Sequence, residues 1–454
     1  MRKFIIAFLA LFFIGSSVFA EDVQLRSISE IIIVQNEPVR TNEGALRRFL
    51  DFEVGQVFTT PEELTIAVDT QIKDLKNTRY FSEVEITVED LEAVHENVPV
   101  VVTVTTTDGW TLVPIPYPIP DSQIGKNGWE FGAEITYDNA FGSMYDFYLD
   151  GFVDIAFGEE TKLKKWKLNP EIRNIDRGNW SFDIAYEQVY STNKKENPEV
   201  VGDYYQLYTK NSSYLSLATT LDLEGDWSYE FTPAFGFNYG YDWQILEDGN
   251  NLATDESGNY KNREDFFSTT LDHYINYGRV DWNGPYRNGY LFSLGNHNFI
   301  NLSRPAMTAD NSIFFITDIE GSAAYYKHFW KRLNYYTKAS ALIAFNDIYK
   351  DLGDSLRGVK NSSMSGNAGF FWQNTLAIQP FRERPGGFNF QIHPFGDVGF
   401  AFDYRDVGNF ADILRFGAGS EFVFMIGSID LKARLGYDFS SGFIDFNFGT
   451  SLSY

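Results

Sequence analysis

The residues with chemistry to offer are few, and their spacing limits what they can do. His95, His273, His297, His328 and His393 are scattered, without the close pairs that would hold a metal ion. No HExxH and no GxSxG occurs, and "IGKNG" at 124–128 carries Gly-Lys without the rest of a phosphate loop. The acidic stretch "LEDGNNLATDESGN" offers oxygen ligands of the kind Ca²⁺ takes, but it fits no twelve-residue binding spacing and reads more simply as a solvated loop. With no cysteine in the chain, thiolate nucleophiles, thiolate metal sites and disulfides are excluded. The expectation is therefore no enzyme, no cofactor and no metal. One cation stands out: in "DSLRGVKNSSMSG", residues 354–366, Arg357 precedes Gly358 and is flanked by Leu356 and Val359, between two strand-like stretches. It is either a solvated loop arginine or one half of a bidentate pair with Asp397 of "FGDVG", residues 395–399. In the second reading Gly358 lets the loop backbone lie close against a wall.

What positions such residues follows from composition. "MRKFIIAFLALFFIGSSVFA" has two positive residues, an apolar run and small residues ending at Ala20, the anatomy of a secretory leader, so residues 1–20 are set apart from the fold. No later stretch reaches the ~18 apolar residues of a spanning helix, which leaves a soluble protein or one that crosses a membrane as strands. The chain carries 37 basic against 62 acidic side chains, a net charge of −25, which argues against a nucleic-acid partner. It also carries 42 Phe, 27 Tyr and 9 Trp, an aromatic load suited to membrane interfaces.

Two regions use different patterns. Residues 21–108 read as a small α+β domain: a strand "SISEIIIVQNE", a short helix "NEGALRRFLDF", a longer helix "TTPEELTIAVDTQIKDLKN", then strands "FSEVEITVED" and "NVPVVVTVTTTD". Thr60 is a natural N-cap, Pro61 suits the first helical position, and Glu63 completes a capping box. Leu64, Val68, Ile72 and Leu75 share one helical face, which must pack on the sheet. From residue 109 to 454 helical periodicity gives way to alternation. Trp227, Tyr229, Phe231, Pro233, Phe235, Phe237, Tyr239 and Tyr241 fall on one face of a stretch as long as a lipid-facing strand. The same pattern returns in Trp129, Phe131, Ala133, Ile135 and Tyr137, and in Trp180, Phe182, Ile184 and Tyr186. The terminal "FIDFNFGTSLSY" turns Ile444, Phe446, Phe448, Thr450, Leu452 and Tyr454 outward and Asp445, Asn447, Gly449, Ser451 and Ser453 inward. At roughly twenty residues per strand and connection, the region predicts an all-β antiparallel transmembrane barrel of about sixteen strands.

Several passages resemble the BamA and TamA type of outer-membrane assembly and translocation superfamily, which joins POTRA domains to a bacterial surface antigen barrel. "TRYFSEVEITVED" is similar to the POTRA helix-to-strand junction at Tyr80 and Phe81, with Arg79 where the family usually has glycine. "DGWTLVPIPYP" at 108–118 is similar to the approach to the first barrel strand, and "NAFG" at 139–142 to a first hairpin. "LRGV" at 356–359 resembles a motif of apolar residue, Arg, Gly and aromatic, with Val359 in the aromatic's place, and "FGDVG" matches Phe-x-Asp-x-Gly throughout. The resemblance implies that Arg357, Gly358, Asp397 and Gly399 lock a loop between the eleventh and twelfth strands into the lumen. It also implies that Phe446, Phe448, Leu452 and Tyr454 close the barrel and carry its terminal strand signal. The seam is expected between a first strand near 129–138 and a last at 443–454.

The function so implied is non-covalent. An outer-membrane protein would accept unfolded client polypeptides on the edge of a periplasmic POTRA sheet and pass them to its barrel, among outer-membrane lipid and with room for periplasmic or lipoprotein partners. Two alternatives remain: a two-partner-secretion transporter for one exoprotein, for which a second POTRA domain and a lumenal helix are expected, and a passive porin or adhesin.

Overall fold

The computed structural model describes residues 25–450, except 94–96, 110, 122–127, 157–161, 197–204, 248–249, 252–265, 284, 303–314, 346–351, 361–362, 382–387, 406–412 and 427–428. The leader, the acidic stretch from residue 252, most of "IGKNG", Leu452 and Tyr454 lie outside the described residues. The chain divides into two compact units, with Glu43–Asp108 in the first and Gly109–Tyr454 in the second.

The first unit runs β1 (Leu25–Asn36), α1 (Glu43–Phe49), β2 (Val57–Phe58), α2 (Pro61–Asn77), β3 (Phe81–Asp90) and β4 (Asn97–Asp108). Its sheet has the order β2-β1-β4-β3, with β1 parallel to β4 and the other pairs antiparallel. Alternation along β4 buries Val98, Val100, Val102 and Val104, and α2 brings Leu64 and Leu75 into the buried core. Thr60 Oγ1 accepts from the Glu63 N–H at 3.2 Å, as an N-cap should. Glu63 reaches back to the Thr59 N–H and hydroxyl, at 2.8 and 2.7 Å, rather than to Thr60. Those bonds hold its carboxyl below its ordinary pKa.

The second unit begins with β5 (Leu112–Asp121), β6 (Gly128–Tyr137), β7 (Asp146–Ala156), β8 (Lys162–Arg173), β9 (Trp180–Glu196) and β10 (Tyr205–Asp222). It continues through β11 (Trp227–Glu247), β12 (Asn250–Asn251), β13 (Phe266–Tyr277), β14 (Val280–Asn283), β15 (Tyr286–Asn301), β16 (Phe315–Trp330) and β17 (Leu333–Phe345). It ends with β18 (Ala368–Ile378), β19 (Phe388–Phe402), β20 (Leu414–Ile426), β21 (Ile429–Asp438) and β22 (Ile444–Thr450). These strands close into one ring in which β22 neighbours β5. Because β11 pairs directly with β13, and β13 with β15, the short β12 and β14 are extensions and sixteen described strands form the wall.

Closure removes the unpaired edges that no bilayer would tolerate. The side chains are distributed in the sense opposite to a water-soluble protein. Trp129, Trp180, Phe235 and Phe446 are 41%, 44%, 63% and 63% exposed on the outside, whereas Asn389, Gln391, Asp397, Glu421 and Lys432 are buried within. That inversion fits a barrel with lipid outside.

One expectation is corrected. The first barrel strand is β5, one strand earlier than residues 129–138, which fall in the second strand, β6. β5 reads "LVPIPYPIPD", and its prolines all occupy alternate positions. An antiparallel ladder needs an N–H toward a given neighbour only at every second residue, so this proline row coexists with ten registered pairs to β6.

Candidate functional site

The strongest buried polar constellation among the sequence-derived candidates lies on the inner wall of β18 to β21, where the connection between β17 and β18 packs inward. β17 and β18 are the eleventh and twelfth wall strands and β19 is the thirteenth. Along β19, Phe395, Asp397 and Gly399 are buried while Gly396 between them is exposed, as two-residue alternation requires. Asp397 thus points to the lumen from a rigid strand. The connection delivers Arg357 onto it.

The pair is bidentate. Arg357 Nε donates to Asp397 Oδ2 at 2.9 Å and Nη2 donates to Oδ1 at 2.7 Å. The Arg357 backbone N–H adds a third bond to Oδ2 at 2.9 Å, so both side chain and main chain of the loop are tied to one carboxylate. The remaining guanidinium donors reach Thr375 Oγ1 at 2.7 Å and the Asn374 carbonyl at 3.2 Å, and Glu421 Oε2 stands 3.6 Å from Nη1. The Phe395 ring lies under the guanidinium, 4.5 Å from its carbon, which accounts for an aromatic side chain facing the lumen. Both charges are shut from solvent, with side-chain exposures of 3% for Arg357 and 0% for Asp397. An unpaired charge in that setting would be costly, and the hydrogen bonds around the pair are what make its burial tolerable.

Apolar packing and close backbone approach complete the anchor. Leu352, Leu356, Val359 and Met364 of the connection cluster with Phe371 of β18 and Ala401 of β19. Gly358 has φ +77° and rests against β21, where an added Cβ would lie 3.0 Å from the Tyr437 nitrogen. From the wall side, a Cβ on Gly417 of β20 would overlap the Arg357 carbonyl oxygen, and one on Gly436 of β21 would sit 2.5 Å from Gly358 Cα. Gly399 leaves room for Leu356, whose methyl would stand 3.0 Å from its Cβ. Val359 fills the space over Gly417 that a larger ring would have to share with the loop backbone. Two side chains of the wall also bond the loop's main chain: Gln373 Nε2 donates to the Ser355 carbonyl at 2.9 Å, and Asp438 Oδ2 accepts from the Lys360 N–H at 3.2 Å.

The structure therefore brings together all four residues of the expected lock. Thr375, Glu421, Gly417 and Gly436 belong to the same site and escaped the sequence reading. The available signal was glycine inside strands, which marks close approach of another backbone. The other candidates lie elsewhere. Phe446 is on the outer face of β22, Phe448 is half-buried, and Leu452 and Tyr454 are outside the described residues. Tyr80 and Phe81 are buried in the first unit, ring centroids 6.4 Å apart, directly after Arg79. Arg79 has φ +62°, a conformation that glycine adopts most easily.

No protein-family model and no curated protein matches the chain. Solved structures do. CdiB from Acinetobacter baumannii is similar over 94% of this chain and 73% of its own, at 13% identity and a TM-score of 0.55. CdiB from Escherichia coli is similar over 96% and 90%, at 13% identity and a TM-score of 0.50. BamA from Haemophilus ducreyi lacking POTRA domains 1-3 is similar over 93% and 83%, at 14% identity and a TM-score of 0.43. At these identities the two CdiB structures show the fold alone, a closed antiparallel β-barrel.

Proposed function

We propose that this protein is an outer-membrane assembly or translocation factor that handles unfolded polypeptides without covalent chemistry. Residues 21–108 act as a POTRA domain in the periplasm. The edge of β3 offers unpaired main-chain groups to an extended client segment, which adds as a further strand. The client then passes to the barrel, whose seam between β5 and β22 is the place of insertion.

The observation that carries this reading is the buried Arg357–Asp397 anchor in a barrel of the CdiB fold. The loop is held inside the barrel by five hydrogen bonds from one arginine. A barrel that must keep its lumen ordered while its wall is worked upon has a use for such a loop. With the first unit in the periplasm, the connection between the eleventh and twelfth strands enters from the cell exterior.

Depletion of the protein followed by quantitative proteomics of the outer membrane tests this. The proposal predicts loss of several barrel proteins. Loss of one secreted protein alone would favour a dedicated transporter, and an unchanged proteome with lost conductance would mark a porin.

A further inference from the structure

We propose that the hairpin of β14 and the start of β15 is a hinged gate that closes the lumen at the end where the chain enters β5. It joins the eighth and ninth wall strands, so it lies at the opposite end from the loop of Arg357, which joins the eleventh and twelfth. The role needs no client and does not rest on the function proposed above. The hairpin has a ladder of its own, from Val280↔Gly289 to Asn283↔Tyr286, beyond the last β13–β15 pair at Tyr277↔Phe292.

Its contacts place it across the lumen. The Tyr286 hydroxyl meets the side-chain oxygen of Gln379, just after β18, and stands 3.0 Å from the Lys331 carbonyl at the turn between β16 and β17. The Tyr286 ring stacks on His328 of β16, centroids 4.3 Å apart. The Pro285 carbonyl accepts from Gln391 Nε2 of β19 at 3.3 Å. Gln391 is held in turn, its Oε1 2.6 Å from His393 Nε2, while His393 Nδ1 lies 2.6 Å from the Tyr336 hydroxyl. β19 is four strands along the wall from β15, roughly 19 Å at ordinary strand spacing, so a tip that touches it has left the wall.

The wall is shaped to receive the tip. Ala377, Val423 and Met425 turn inward and are buried, although apolar side chains gain nothing from a wet lumen. They line one cavity with Trp282, Pro285 and Arg287 of the hairpin. The Arg287 guanidinium lies 4.5 Å from the Trp282 ring, which holds the charge against an aromatic face.

The hairpin can leave without opening the ring. Gly278 and Gly289 face each other at its base with φ of +117° and +137°, and a Cβ on Gly289 would fall 2.0 Å from the Arg279 carbonyl oxygen. The ladders of β15 with β13 and β16 are complete without β14. One hydroxyl, one carbonyl and one stacked ring fasten the tip, and releasing them admits ions to the lumen.

The chain has no cysteine, so one introduced beneath the hairpin reports its position. In the purified full-length protein Met425→Cys should react slowly with a water-soluble maleimide. Adding Tyr286→Ala, which removes the hydroxyl bonds and the stacked ring, should speed labelling roughly tenfold or more and raise conductance in planar phosphatidylcholine bilayers. Tyr286→Phe keeps the ring and should speed it roughly fivefold, and it becomes the test if Tyr286→Ala lacks heat-modifiable mobility. Met364→Cys, packed under the loop of Arg357, should stay protected in both. Rapid labelling of Met425→Cys with Tyr286 intact, unchanged labelling in the folded Tyr286 variants, or faster labelling without added conductance would overturn the gate. So would parallel exposure of Met364→Cys, the mark of a lumen loosened throughout.

Discussion

At the scale of residues, the account depends on a charge pair that only the closed barrel makes reasonable. Removing Arg357 leaves Asp397 buried and unpaired, which costs the docked loop about 3–5 kcal/mol. The sixteen-stranded wall does not depend on that contact, so Arg357→Ala should release the loop rather than unfold the barrel. Asp397→Ala should do the same, and the double variant should be little worse than either, because both act on one interaction. The readout is Met364→Cys, buried in the loop cluster. It should resist a membrane-impermeant thiol reagent on intact cells and label readily in either variant, with heat-modifiable mobility unchanged. Gly417→Val makes a separate prediction: it leaves the ion pair's atoms in place but puts a side chain where the Arg357 carbonyl lies, and it should expose Met364→Cys to a similar extent. Arg357 and Asp397 were legible in the sequence because a motif and strand parity pointed to both. Glu421, Thr375, Gly417 and Gly436 were not, because their place in the site depends on the registers of β18, β20 and β21, which no local pattern specifies.

At the scale of elements, capping and alternation carried most of the information. The helix and strands of the first unit were legible because Thr60, Pro61 and Glu63 mark a helix start and β4 alternates without interruption. β5 was read as the approach to the barrel rather than as its first strand, and nothing local in a stretch with four prolines in ten residues marks it as part of the ring. They cost the ladder to β6 no hydrogen bond, because only every second residue need face that neighbour. The junction at Arg79 yields a further prediction. Expressed alone, residues 22–108 should fold as a monomeric α+β unit, since Leu46, Leu75, Val100 and Val102 form its core from within. In that unit Arg79→Gly should relieve a left-handed conformation worth about 1–2 kcal/mol while adding about 0.5–1 kcal/mol of chain entropy cost. A small rise in the urea midpoint by circular dichroism is expected, and a fall would show that the arginine side chain contributes contacts that outweigh the strain.

At the scale of the whole molecule, the proposed function divides the work between the two units: an α+β unit with an open sheet edge would offer backbone to a client, and a barrel with a loop anchored in its lumen would offer a place in the membrane. The most direct measurement is the rate at which a urea-unfolded barrel protein acquires heat-modifiable mobility in vesicles holding the purified full-length protein. The account predicts marked acceleration over empty vesicles, with most of it lost in Asp397→Ala although that variant inserts normally. A reconstituted protein that conducts ions yet leaves the client's folding rate at the level of empty vesicles would contradict it.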